Sequence, residues 1–106
     1  MFKRLFNIFR KKDKYDNFVI NNKAVIIALE AETKRRLGDF NTAAELINTA
    51  IQMENDNDMY YATKSLIFFD EEKYNAALEE INKAIKINNK VQKYKELRQK
   101  VMQFLN

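Results

Sequence analysis

The chain has 106 residues, with 19 Lys and Arg against 15 Asp and Glu, for a formal charge of +4. It has no Cys, no His, no Pro and one Gly, Gly38, which excludes disulfides, thiolate and imidazole chemistry and the usual zinc sites. The length suits one domain, and a strand-rich fold, which needs turn residues every ~8–12 positions, is excluded in favour of helix.

The charge is unevenly placed. Residues 1–16 carry six basic side chains and two acidic ones, so the whole excess of +4 sits there; residues 17–106 carry 13 of each sign. No apolar run approaches the ~20 residues of a membrane span. The short, interrupted stretch Leu5-Phe6-Asn7-Ile8-Phe9 is a poor secretory signal, and Phe2 excludes myristoylation. Nothing resembles a Gly-rich phosphate loop or a nucleophile elbow. The chain is therefore read as a non-enzyme, with no catalytic residues, no metal ligands and no cofactor.

In chain order, the first predicted element is a basic amphipathic helix near 2–13. Phe2, Leu5, Phe6 and Phe9 share one side, while Lys3, Arg4, Asn7, Arg10 and Lys11, followed by Lys12, cover the other. That is the composition of an interfacial membrane helix. Each basic residue contributes roughly 1 kcal/mol near an anionic surface, while ordering the arm costs ~1–2 kcal/mol per residue. The predicted membrane contact is therefore reversible and weakened by salt. Docking of the Phe side onto the body or onto a neighbouring protein is the competing reading. Nucleic acid is disfavoured, because the body supplies no basic groove to continue the track.

A polar connection is expected over 14–22. Helices are then predicted over 23–37, 40–54, 57–70, 73–88 and 90–105. Asp39 is placed to cap the second of these and Asp56 or Asn57 the third. The last carries Val91, Tyr94, Leu97, Val101, Phe104 and Leu105 at helical spacing.

An internal repeat orders these helices. Residues 38–55 align without a gap on 72–89, at an offset of 34. Phe40 falls on Tyr74, Ala43 on Ala77, Ile47 on Ile81, Ala50 on Ala84 and Ile51 on Ile85. A 34-residue period of paired helices resembles the tetratricopeptide repeat family. The turn Gly38-Asp39-Phe40, the small pair Ala43 and Ala50, and their counterparts Tyr74, Ala77 and Ala84 carry the resemblance. In the preceding helices, Ile27 and Tyr61 match the family's large packing position, Ala31 and Ser65 the small one, and Phe68 the aromatic one. Departures are Lys34 for an aromatic, Glu30 and Lys64 for Leu, Asn55 and Asn89 for Pro, and Glu72 for the turn Gly. A left-handed Glu72 would cost about 1 kcal/mol.

The resemblance implies an all-α fold of tandem antiparallel helix hairpins. The expected divisions are a basic arm and connection over 1–22, two repeats over 24–57 and 58–89, and a C-terminal capping helix over 90–106. Two units are fewer than such stacks usually need. The last helix is therefore expected to cover the second hairpin, and a homodimer through the open end of the first hairpin is another way to complete the stack.

The resemblance also implies a concave face, lined by the first helix of each pair, that holds a peptide or partner helix. The matching positions are Val25, Ala28, Glu32, Arg35 and Arg36, then Met59, Ala62, Leu66, Phe69 and Asp70. The apolar members could instead pack against the capping helix. The family's clamp for C-terminal carboxylates uses Lys and Asn where this chain has Ala28, Glu32, Ala62 and Leu66, so a chaperone-tail adaptor is not expected. The acidic clusters Asp70-Glu71-Glu72 and Glu79-Glu80 are read as a solvated turn and an outer helix face.

The functional expectation is a protein-binding adaptor or assembly subunit in the cytoplasm, peripheral to a membrane where the arm meets lipid. Its alternative is a structural subunit of a larger complex whose arm hooks into a neighbouring protein.

Overall fold

The computed structural model describes residues 14–105, and these form five helices joined by short turns. They are α1 (Lys14–Arg36), α2 (Phe40–Met53), α3 (Asp58–Asp70), α4 (Tyr74–Ile87) and α5 (Gln92–Gln103). There is no strand among the described residues. The predicted helix over 2–13 lies outside them.

The expected connection over 14–22 is helical, and the boundary drawn at 22/23 falls inside α1. The segment contains no Gly or Pro to stop a helix. Its polar end reports exposure: Asn21 and Asn22 both face solvent.

The two hairpin turns repeat in detail. After α1, the Gly38 amide donates to the Arg35 carbonyl at 3.0 Å and the Asp39 amide to the Lys34 carbonyl at 2.9 Å. After α3, the Glu72 amide donates to Phe69 at 3.0 Å and the Lys73 amide to Phe68 at 2.8 Å. Both are Schellman motifs, which need a left-handed residue just past the helix. Gly38 supplies it at φ 81°, and Glu72 supplies it at φ 62°. The predicted strain at Glu72 is therefore present. The helix starts differ: Asp39 accepts the Thr42 amide at 3.3 Å, whereas Lys73 makes no side-chain cap. Of the two candidate caps for α3, Asn57 is the one used, accepting the Met59 amide at 3.0 Å.

Small residues set the helix spacing. Ala24 and Ala31 of α1 and Ala43, Ile47 and Ala50 of α2 are all fully buried, so these two helices pack closely along shared faces. Ala77, Ile81 and Ala84 of α4 are buried in the same way against α3. Ser65 stands where α1 has Ala31, and its buried hydroxyl donates to the Ala77 carbonyl at 2.7 Å. The polar group is thereby satisfied across the hairpin rather than stranded.

Each core is completed by the helix that follows. Tyr60 and Ile67 of α3 pack into the core of the first hairpin. Tyr94 and Leu97 of α5 pack on the core of the second, against Ala62, Ile81 and Ala84. Val101 is fully buried as well. The C-terminal helix thus covers the second hairpin as expected, and it starts 34 residues after α3, in the register of a first helix of a further unit.

One expectation fails on the outer face of α4. Glu79 is exposed, but Glu80 is only 5% exposed. Its Oε1 accepts from Lys83 Nζ at 3.0 Å, Lys64 Nζ lies 3.9 Å away, and Oε2 has no protein partner. Residues 77, 80, 81 and 84 share one helix face, so the carboxylate is carried inward with its alanine and isoleucine neighbours. The two ammonium groups offset its burial.

Candidate functional site: a groove between α1, α3 and α5

Helices α1 and α3 are the first members of the two pairs and α5 continues their register, and the three border an open groove of about 290 Å³. Its floor is built from Ala28 and Ala62, whose small side chains leave room above the helices. Val25 and Leu29 of α1 form one wall, and Met59, Thr63 and Leu66 of α3 the other. Asn57, Tyr60 and Tyr94 close one end. Met59 and Leu29 are each 61% exposed, and apolar side chains exposed together along one groove mark an interaction surface.

The tyrosines at the closed end are fixed donors. The Tyr60 hydroxyl donates to Glu54 Oε1 at 2.6 Å, and the Tyr94 hydroxyl to Asp58 Oδ2 at 2.6 Å. Burial, reinforced by the accepting carboxylate, raises both phenol pKa values above the ordinary tyrosine range. Both therefore stay protonated and serve as structural ties. Glu54 and Asp58 are held at this end by those two hydroxyls, and among the described residues neither forms an ion pair with Lys or Arg. The rim there is negative.

The opposite end is neutralised internally. Arg35 grips Glu32 through two hydrogen bonds, Nη2 to Oε1 at 2.6 Å and Nε to Oε2 at 3.0 Å. Its Nη1 reaches Asp70 Oδ2 on α3 at 2.6 Å. Arg36 Nε adds a contact to Glu32 at 3.1 Å. The hydrogen bonds from Arg35, with those of Arg36, hold the Glu32 carboxyl below its ordinary value of 4.5 against the opposing effect of burial. Glu32 and Asp70 in turn raise the pKa of the Arg35 guanidinium.

Of the ten residues expected on the concave face, Val25, Ala28, Glu32, Met59, Ala62 and Leu66 line the groove together. The other four do not line it. Arg35 and Asp70 are tied to each other as a bridge from α1 to α3. Arg36 is exposed beside that bridge. Phe69 turns to α5 and the second hairpin turn, with its ring 5.3 Å from Phe104 and 5.5 Å from Tyr74, both edge to face. Lys100 Nζ sits 5.2 Å from the same ring. The competing expectation, packing against the last helix, therefore describes Phe69.

Periodicity missed Leu29, Asn57, Tyr60, Thr63 and Tyr94 as groove residues. For Tyr94, the 34-residue offset from Tyr60 was the available signal. The arm residues Phe2, Lys3, Arg4, Leu5, Phe6, Phe9, Arg10, Lys11 and Lys12 lie outside the described residues. Among the described residues no helix is long and apolar enough to cross a membrane. In comparison with known proteins, the chain matches no family model and no curated sequence.

Proposed function

We propose that this chain is a protein-binding adaptor or assembly subunit. Its occupant is an apolar segment of another protein, flanked by a basic residue, laid along the groove of α1, α3 and α5. The observation that carries the reading is the exposed apolar groove itself, with an alanine floor that accepts large side chains and flexible Met59 on its wall. The carboxylates of Glu54 and Asp58 at one end favour a positive charge on the segment. The likeness of the 34-residue repeat to the tetratricopeptide family supports the same face. No reaction belongs to this reading, and the expected setting is the cytoplasm, with the basic arm as a second contact.

The test uses an isotope-labelled full chain titrated with two synthetic amphipathic peptides. Both carry Leu at helical spacing; one ends in Lys and the other in Glu. Binding is expected for the Lys peptide, with amide shifts centred on Val25, Ala28, Met59 and Leu66. Met59→Asp should abolish it without changing the helical spectrum. Shifts concentrated away from the groove, or equal binding of both peptides by wild type and M59D, would refute the proposal.

A further inference from the structure

The side of α1 turned away from Ala24 and Ala31 carries a second apolar surface, distinct from the floor of the groove. Ile26 is 64% exposed there, and Val19 is 40% exposed. Val19, Ile26 and Thr33 recur every seven residues, and Asn22, Leu29 and Arg36 follow each of them by three. All six are exposed. Three of the six, Val19, Ile26 and Leu29, are apolar, and together the six have the a/d spacing of a two-helix seam along residues 19–36 of α1.

The charges beside the seam select the occupant. Lys23 and Glu30 lie seven residues apart on one edge, both exposed, and among the described residues neither forms an ion pair. The other edge carries Val25 and Glu32. When two copies of such a helix run antiparallel, each edge meets the same edge of its partner. Lys23 then faces the second copy's Glu30, and the two-fold symmetry makes the pairing twice. A parallel pair would set Glu30 beside Val25 and match no opposite charges.

We infer that α1 is a homodimerisation helix, and that its exposed seam is covered by α1 of a second copy of this chain running antiparallel. Ile26 and Leu29 pack on the second copy's Leu29 and Ile26 at the centre. Asn22 meets Thr33 beside them, a polar layer that holds the register. Val19 lies along the aliphatic stem of Arg36. Leu29 also borders the groove, so the second copy runs along the outer wall of that site and leaves its floor open.

The test is sedimentation equilibrium of the full chain from about 10 μM to about 1 mM, which spans micromolar to millimolar dissociation constants. A monomer–dimer equilibrium is expected for wild type. Ile26→Asp should leave only monomer, and Lys23→Glu or Glu30→Lys alone should weaken the dimer about tenfold or more. The double variant K23E/E30K should restore it, because the reversed pairs again match. All three positions are exposed, so an unchanged helical spectrum, and an unchanged melting curve at concentrations where wild type is monomeric, show that folding is intact. A wild type that stays monomeric, a dimer indifferent to Ile26→Asp, or a double variant that fails to recover would each overturn the inference. So would a dimer that appears only when residues 1–14 are removed, which would make the arm the occupant. Ile26, Lys23 and Glu30 do not line the groove, so peptide binding by monomeric I26D separates the fate of this inference from that of the adaptor reading.

Discussion

Exchanging the residues at the two Schellman turns isolates the cost of one backbone conformation. Glu72 holds φ 62° where the first turn has Gly38 at φ 81°. A side chain in the left-handed region costs ~1–2 kcal/mol, which Glu72→Gly removes. Glycine also widens the unfolded ensemble, returning ~0.4–1 kcal/mol of that gain. The Glu72 side chain is exposed and makes no ion pair among the described residues, so no contact is lost. The net expectation is a stabilisation of ~0.5–1 kcal/mol, or ~2–6 °C in Tm for a domain of this size. Gly38→Ala runs the argument backwards. Nothing lies within 4 Å of an added Cβ, so the loss should be of similar size and purely conformational. Thermal and urea unfolding followed by far-UV circular dichroism would measure both. The reasoning fails if Glu72→Gly leaves Tm unchanged or lowers it, or if Gly38→Ala is neutral.

Three further outcomes are expected. A double-mutant cycle on Arg35→Met and Asp70→Asn should give a coupling of roughly 0.5–1 kcal/mol that shrinks in high salt; a coupling of zero would mean that the α1–α3 bridge adds nothing. Glu32 has a depressed folded-state pKa, so its contribution is present above the unfolded value near 4.5 and disappears as pH falls through the lower folded value. The urea midpoint of Glu32→Gln should therefore fall less steeply in acid than that of wild type, and superimposable acid limbs would count against the assignment. If the basic arm contacts lipid, full-length protein should pellet with anionic vesicles at low salt, release at physiological salt, and remain soluble once residues 1–14 are deleted; pelleting that survives the deletion would exclude the arm as the contact.

The helices and their pairing were legible because they depend on local spacing. The offset of 34 placed Phe40 with Tyr74 and Ala50 with Ala84, and in the structure Ala50 and Ala84 sit at matching buried positions. The stretch 14–22, misread as a connection, ends in Asn21 and Asn22 but holds no helix breaker, and polar residues alone cannot tell an exposed helix from a loop. The groove was legible in outline for the same reason that the hairpins were: one face of each first helix follows from its register.

The sequence by itself determined the helical class, the repeat, the turn that strains Glu72 and the faces that bear alanine, since all of these follow from residue type and periods of 3.6, 7 and 34. Only the tertiary structure decided which neighbour each face meets. It sent Arg35 to Asp70, Phe69 to Phe104, Tyr94 into the groove and Glu80 between two lysines. A helical period gives the direction in which a side chain leaves its own axis; what it touches depends on the angle and stagger of the next helix, which arise from packing across the whole stack.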